Sequence, residues 1–395
     1  MRISPSFAVL ALVVLPTAAC DETGLSSIDA GGFQLLPPSG VLTPANGGAG
    51  FSSGPSAGPF GSATDGGGLD GSLSSTAGIP SIVLPSDDAG SAGPPPMSQA
   101  DLVTLASGQT CPWGMAIDDT SVYWTTCGDP TGGNVLKVSK AGGEVVALGS
   151  GDRLSGIAVA NGSVYWVAGT SDASSGAIME IPVGGGAMTT LASMSGDPAH
   201  IAADSSCIYW SEIMAGTVMK VPITGGEATT IALAETPFWI ALGETDVFWM
   251  GQGVMKAPKA GGTATALTPS SFLTLLPAGL AVDATNVYFT SGSPGSMSAV
   301  STVFVQGGAI TPITSGAQSS IPGPIAIDDT RAYWADDGSN AVYAVPLSGG
   351  TPTTLAIDQN NVVAITVDGS AVYWLVNPNS STGQGAVMKL SLTAF

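Results

Sequence analysis

Short apolar runs separated by small and polar residues recur along the chain from about residue 100 to its end. The segment 200–233 is a clear example, and it contains four such runs. They cover residues 201–203, 208–210, 218–221 and 228–232. Apolar runs this short, bounded by turn-forming residues, predict β-strands and not helices. Each unit of the pattern is therefore expected to form four strands.

A pair of adjacent aromatic residues marks the second strand of each unit. The pairs are Tyr123-Trp124, Tyr165-Trp166, Tyr209-Trp210, Phe248-Trp249, Tyr288-Phe289, Tyr333-Trp334 and Tyr373-Trp374. They follow one another at intervals of 42, 44, 39, 40, 45 and 40 residues, which is the length of one propeller blade. The pattern predicts an all-β domain, a seven-bladed β-propeller of four-stranded antiparallel blades, with six or eight blades as the alternative counts.

A small residue lies in the middle of the first strand of every unit. These residues are Ala116, Ala158, Ala202, Ala241, Ala281, Ala326 and, in the last unit, Thr366. First strands converge on the axis of a propeller, where the least room is left for side chains. The bulky aromatic residues fall on the second strand, where adjacent side chains face opposite sides of the blade and can pack against both neighbours.

The two ends of the repeat region complement each other. The last unit stops after its third strand, whereas an unmatched run at 102–107 precedes the first complete unit. That run is similar to the fourth strand of the second unit, residues 189–193. We therefore expect the N-terminal strand to complete the last blade and to close the ring.

Composition divides the chain into three parts. Residues 1–19 form a signal peptide, because Arg2 is followed by a short apolar run and then by small residues. Residues 20–98 are rich in Gly, Ser and Pro, and are predicted to be a disordered tether. Residues 99–395 are the propeller.

The residues before Cys20 resemble a lipobox, the signature of bacterial lipoproteins, although Thr17 stands where that signature has an aliphatic residue. The resemblance implies that Cys20 is the lipid attachment site. The membrane is then a partner through an N-terminal lipid anchor. The protein would be exported and held on the cell membrane or the outer membrane, on the periplasmic or the cell-surface side. The alternative is ordinary signal peptidase cleavage after Ala19.

The charge of the chain excludes some partners. The formal net charge is −20, and the nine basic residues are scattered, so no nucleic acid is expected to bind. His200 is the single histidine, which argues against a multi-histidine metal centre. Because no nucleophile elbow or phosphate loop is present either, we predict no catalytic residues, no cofactor and no metal.

The run Ser121-Val122-Tyr123-Trp124-Thr125, preceded by Ile117-Asp118, resembles the YWTD-type repeats and the wider TolB-like β-propellers, including those of bacterial surface lipoproteins. The resemblance covers residues 101–395 and implies blade architecture. Ligand binding of the receptor type is not carried over. This sequence has seven aromatic units and not six, and the acid of the motif remains only as Asp336.

Two cysteines bracket the first predicted hairpin. Folding that hairpin about its turn brings Cys111 and Cys127 nearly opposite each other, so a structural disulfide is predicted in an exported protein. A further set of acidic residues follows the first strand of five units. They are Asp118, Asp204, Asp283, Asp328 and Asp368. We interpret them as Asx-turn residues that cap a tight turn, in preference to calcium ligands.

The loops that join one blade to the next open on one face of a propeller, where ligands commonly bind. At that level Trp113, His200, Phe238 and Trp239 stand where other units often have Gly, Ala or Pro. They form the candidate binding surface. Buried packing under the loops is the alternative interpretation.

Three functions fit the sequence. The first is a binding or interaction module that recognises a protein, glycan or small-molecule ligand, with a monomeric propeller. The second is an extracytoplasmic hydrolase or lyase with a carboxylate site in the axial channel. The third is a structural spacer. The scarcity of His, Lys and Arg near the mouth favours binding over catalysis.

Overall fold

The computed structural model describes residues 101–127, 132–170, 175–194, 198–269, 277–291, 299–314, 322–377 and 384–392. Within these ranges the chain forms 28 β-strands in seven four-stranded antiparallel sheets. The sheets are the blades of a β-propeller, which confirms the predicted fold and the count of seven. None of the described residues belongs to a helix long and apolar enough to span a membrane. Residues 1–100, with Cys20 and the predicted tether, lie outside the described residues.

The strands follow the chain blade by blade. The first strand, β1 (Leu102–Gln109), belongs to the last blade. Blades 1 and 2 contain β2 (Pro112–Ile117), β3 (Ser121–Thr126), β4 (Gly133–Ser139), β5 (Val146–Gly151), β6 (Leu154–Ala160), β7 (Ser163–Gly169), β8 (Gly176–Pro182) and β9 (Thr189–Met194). Blades 3 and 4 contain β10 (Pro198–Ala203), β11 (Cys207–Glu212), β12 (Thr217–Pro222), β13 (Thr229–Leu233), β14 (Ile240–Leu242), β15 (Asp246–Met250), β16 (Val254–Pro258) and β17 (Thr265–Ala266). Blades 5, 6 and 7 contain β18 (Pro277–Val282), β19 (Asn286–Ser291), β20 (Ala299–Phe304), β21 (Thr311–Pro312), β22 (Pro322–Ile327), β23 (Arg331–Asp336), β24 (Ala341–Pro346), β25 (Thr353–Ala356), β26 (Val362–Val367), β27 (Ala371–Val376) and β28 (Gly385–Ser391).

The N-terminal strand closes the ring as predicted. The last sheet has the order β1-β28-β27-β26, and Val103 lies opposite Lys389 while Thr104 lies opposite Met388. The first strands of successive blades are neighbours all the way round, including β26 and β2. No blade is therefore left with an unpaired third strand at the junction of the chain ends.

The antiparallel order of the strands gives the ring two distinct faces. The turn face holds the tight turns from first to second strand and the Gly-Gly turns from third to fourth strand. The mouth face holds the loops from second to third strand and the connections from one blade to the next. Leu102 begins β1 on the turn face, so the preceding chain joins the propeller on the side opposite the mouth.

The core consists of the aromatic pairs and the aliphatic residues between blades. Trp124, Trp166, Trp210, Trp249 and Trp374 have no solvent exposure. The residue beside each of them packs into the interface on the other side of its blade, as Tyr165 does against Trp210. Burial of both faces explains why second strands such as β3 and β11 are buried at every position and show no alternation.

Buried hydroxyl groups join blades in pairs. The side chain that follows the second-strand aromatic pair donates a hydrogen bond to a carbonyl oxygen of the next blade. The bonds run from Thr125 to Ser155 O at 2.7 Å, from Ser211 to Phe238 O at 2.8 Å, and from Thr290 to Gly323 O at 2.8 Å. They link blade 1 to 2, blade 3 to 4 and blade 5 to 6. The same position in blades 2, 4, 6 and 7 carries an apolar side chain.

Candidate functional site

Three of the four predicted surface residues contact one another. The ring centroids of His200 and Trp239 are 4.1 Å apart, and those of His200 and Phe238 are 5.2 Å apart. Phe238 and Trp239 meet edge to face at 6.1 Å. We call these three residues the aromatic cluster. It lies on the mouth face, where β10 of blade 3 meets the segment that enters β14 of blade 4.

Two members of the cluster, His200 and Trp239, occupy a position at which three of the other five blades have glycine. Counted from the central alanine of the first strand, His200 and Trp239 align with Gly114, Gly156 and Gly279. A Cβ atom added to Gly156 would lie 2.9 Å from the backbone N of Ile201, and one added to Gly279 would lie 2.6 Å from the N of Ile325. Neighbouring first strands therefore touch at this level through glycine. In blades 3 and 4, large rings take the place of that backbone contact.

The environment of the cluster keeps it uncharged. Phe238 is 38% exposed, whereas His200 and Trp239 are partly buried. The protein atoms around His200 desolvate its imidazole and lower its pKa to about 4. Because the charged form is disfavoured, the imidazole is neutral near pH 7. The rings thus present an apolar surface with one neutral group that can form hydrogen bonds.

The fourth predicted residue lies apart from the cluster. Trp113 is 44% exposed and belongs to β2 of blade 1, on the same face but separated from blade 3 by blade 2. The expectation that Trp113 and His200 lie in connecting loops is wrong, because strand pairing resumes at Pro112 and Pro198 after a register shift. Phe238 and Trp239 do precede their strand.

Two exposed apolar residues on the same face as the cluster are not indicated by the sequence pattern. Met214, in the loop between β11 and β12, is 84% exposed, and Leu233, at the end of β13, is 78% exposed. Both belong to blade 3 and lie on the mouth face. In the sequence they resemble the ends of ordinary strands, and only the topology shows that they share a face with Phe238.

The predicted disulfide between Cys111 and Cys127 is present, with the two Cα atoms 5.5 Å apart. Cys111 lies in the short connection between β1 and β2, and Cys127 directly follows β3. The bond therefore fixes the point at which the chain passes from the closing strand of blade 7 into blade 1.

The five predicted Asx-turn residues adopt one common arrangement. In each, Oδ1 accepts hydrogen bonds from the backbone N–H groups two and three residues ahead, and Oδ2 accepts the hydroxyl of the second-strand tyrosine. For Asp118 these distances are 2.7 Å, 2.7 Å and 2.6 Å. The equivalent bonds occur at Asp204, Asp283, Asp328 and Asp368. The Asx-turn interpretation is confirmed, and within the described residues no group of three or more metal-binding side chains is assembled.

Lysines reinforce two of these turns from the next blade. Lys259 of blade 4 lies 2.9 Å from Asp204 of blade 3, and Lys140 of blade 1 lies 2.5 Å from Asp368 of blade 7. Burial alone would raise the pKa of Asp204 and of Asp368. The hydrogen bonds from these lysines and from the turn outweigh that effect and hold both pKa values well below the ordinary 3.8.

An acidic pair lies at the mouth end of β23. Asp336 accepts hydrogen bonds from the N–H groups of Gly338 and Ser339. The pKa of Asp337 is raised by burial and by the nearby charge of Asp336, against the opposing effect of a hydrogen bond from Val362 N–H. Sequence reasoning identified Asp336 only as a remnant of a repeat motif.

Comparisons with known proteins support the fold and assign no family. No protein-family model matches the chain, and no curated protein matches it. Virginiamycin B lyase from Staphylococcus aureus is similar in structure, with a TM-score of 0.57 and 15% identity over 73% of this chain and 98% of that one. The WD40 β-propeller domain of Doa1 also gives a TM-score of 0.57, with 10% identity over 73% of this chain and 97% of the other. At these identities the similarity concerns the propeller fold.

Proposed function

We propose that this protein is a membrane-tethered, extracytoplasmic β-propeller that binds a ligand through its mouth face. The observation that supports the proposal most strongly is the aromatic cluster. Large, partly exposed rings stand at a level where Gly114, Gly156 and Gly279 allow first strands to touch directly. Core packing does not require rings there, because the other five blades have only glycine, proline or alanine at this position, namely Gly114, Gly156, Gly279, Pro324 and Ala364. Exposed aromatic rings with a neutral polar group are typical of ligand-binding surfaces.

The path of the chain is consistent with this proposal. The segment that precedes β1 reaches the propeller at Leu102, on the turn face. This point of attachment is on the face opposite the aromatic cluster. A location in the cell envelope is supported by the sequence: residues 1–19 have the pattern of a signal peptide, and the residues before Cys20 resemble a lipobox.

A hydrolase or lyase is the weaker proposal. The acidic pair on the mouth face is partly engaged, since Asp336 accepts two backbone hydrogen bonds. The fold shared with virginiamycin B lyase does not extend to function at 15% identity.

Retention of envelope components by the immobilised full-length protein tests the binding function. We expect a component to be retained by the wild type and lost with the double variant Phe238→Ala and Trp239→Ala. Phe304→Ala is the matched control, because Phe304 is 60% exposed but lies on the turn face at the end of β20. If the double variant and the wild type retain the same components, the mouth-face proposal is wrong.

Fractionation of cells tests the tether. The wild type should be found in the membrane fraction and take up labelled fatty acid, whereas Cys20→Ser should release the protein and lose the label. A membrane-bound Cys20→Ser variant would contradict a lipid anchor at this residue.

A further inference from the structure

The charge distribution of the propeller restricts what the aromatic cluster can bind. Every lysine of the described residues lies in a third strand or in the turn that follows it, for example Lys220, Lys256 and Lys259. The ammonium groups of Lys137, Lys140, Lys256, Lys259 and Lys389 bond to acceptors towards the turn face. Among the described residues, Arg153 of blade 2 is the basic residue of the mouth face, and it donates to Thr170 O.

Acidic groups, by contrast, lie in segments that adjoin the cluster, since Glu235 precedes Phe238 in the sequence and Glu212 pairs with Pro198. Glu235 is exposed in the segment that leads from β13 to Phe238. Glu212 ends β11, and its carboxylate accepts hydrogen bonds from the Trp210 indole and the Thr217 hydroxyl. It follows Ser211, which donates to Phe238 O. The whole chain has a net charge of −20, and a net negative charge favours the approach of cations.

Two properties thus coincide at one place. Aromatic rings offer a negative π-face to a cation, most strongly in tryptophan. Among the described residues, the mouth face supplies carboxylates and no lysine, and its one arginine, Arg153, belongs to blade 2 and donates to Thr170 O. An anionic ligand would therefore find little counter-charge on this face. The neutral imidazole of His200 adds no repulsion to a positively charged ligand. A neutral ligand would use the rings but gain nothing from the surrounding charge.

We propose that the aromatic cluster binds an organic cation of the alkylated ammonium type, with the ammonium group over the rings of Phe238 and Trp239. This inference rests on the proposed function of the mouth face and names the chemical class of its ligand. Methyl groups on nitrogen make such a cation poorly hydrated, so it loses little on transfer to an aromatic surface. A carboxylate, a phosphate or a nucleic acid is not expected to bind there.

Titration of the full-length protein with choline tests this inference against the neutral isostere 3,3-dimethyl-1-butanol. The two probes differ in charge and hardly in shape. We expect choline to bind about tenfold or more tightly than the isostere, and Trp239→Leu to weaken choline binding by about tenfold. The ¹⁹F spectrum of protein labelled with 5-fluorotryptophan reports binding at Trp239 and provides an affinity.

Two further variants keep the test decisive. Phe238→Leu changes a residue that is 38% exposed and should weaken choline binding even if Trp239→Leu fails to fold. Phe304→Leu on the turn face should leave the affinity unchanged. Equal affinity for the two probes, or choline binding that is insensitive to Phe238, would overturn the inference. If envelope components are still retained through Phe238 and Trp239, the ligand class alone is wrong. If they are not, the proposed function fails as well.

Discussion

At the scale of single residues, one carboxylate organises each tight turn and also positions the aromatic core. The aspartate satisfies two backbone N–H groups through Oδ1 and holds the tyrosine hydroxyl through Oδ2, as Asp204 does for Tyr209 at 3.0 Å. Burial, and then the hydrogen bond to the aspartate, raise the pKa of Tyr288 to about 12. The repeated Asp and Tyr are therefore one structural device, and their spacing of five residues follows from the turn between them.

Acid should weaken the hydrogen bonds that these aspartates accept. Because the pKa values of Asp204 and Asp368 are lowered in the folded state, the unfolded chain binds more protons as the pH falls below about 4. The stabilisation is complete above that pH and is lost progressively below it. Denaturant unfolding between pH 7 and pH 2 should show a smaller acid-induced loss for the double variant Asp204→Asn and Asp368→Asn than for the wild type.

The same double variant should also be less stable at pH 7, by about 1 kcal/mol for each site, since asparagine keeps the turn but loses the bond to lysine. Asp119→Asn is the matched control, because Asp119 is exposed and adjacent to Asp118. An identical pH profile for the double variant and the wild type would show that these carboxylates do not cause the acid sensitivity.

At the scale of elements, the connections that lead into the first strands share one backbone conformation, a residue with positive φ. In four blades the structure describes the residue just before the segment that enters the first strand, and in all four this residue has positive φ. The residues are Cys111, Arg153, Thr236 and Asn361, with φ values of 47°, 41°, 46° and 51°. The conformation recurs in four blades. It is therefore a property of the connection and not a distortion specific to the aromatic cluster, even though Thr236 is two residues from Phe238.

The hydroxyl bridges between blades are a second property of the elements. Thr125 accepts from Gly114 N–H at 3.0 Å while it donates to Ser155 O, and its side chain is fully buried. Thr125→Val should leave both backbone groups without this partner and lower the free energy of unfolding by about 1–3 kcal/mol. Thr190→Val, at an exposed strand position, should change it by less than about 0.5 kcal/mol. Equal effects at the two positions would contradict a role for the bridge.

The disulfide belongs to this scale too, because it fixes the connection between β1 and β2. The two cysteines are 16 residues apart, and closure of a loop of that length is worth about 3 kcal/mol. The double variant Cys111→Ser and Cys127→Ser should lose about that much in denaturant unfolding. If reductant leaves the wild type as stable as before, the bond does not contribute to stability.

At the scale of the whole molecule, stability depends on pairing between the two ends of the propeller. Deletion of residues 99–107 should unfold or dimerise the domain, because β28 would present a bare edge. Thermal unfolding and size-exclusion chromatography measure the two outcomes. A variant that lacks residues 24–92 keeps β1 and serves as the control. A monomeric 99–107 deletion with unchanged thermal stability would refute closure by β1.

The sequence predicts the periodic part of this molecule and misses the contacts between blades. The blade count and the closure of the ring can be predicted from the sequence because every unit repeats the same apolar pattern. The contacts Lys259–Asp204 and Thr125–Ser155 cannot be predicted from the sequence, because they join residues of different blades and occur in only some of the blades. Likewise, Trp113 and His200 could be assigned to one face from their alignment. Only the structure shows that His200 contacts Phe238 and Trp239 while Trp113 belongs to a distant blade.

Site-specific photocrosslinking in cells tests the central claim, that the mouth face at blades 3 and 4 contacts the ligand. The photoreactive residue p-benzoylphenylalanine would replace Phe238 in one variant and Phe304 in the other. We predict a discrete crosslinked product from position 238 and none from position 304, on the turn face. Equal products from both positions, or a product from position 304 alone, would contradict the assignment of the binding site.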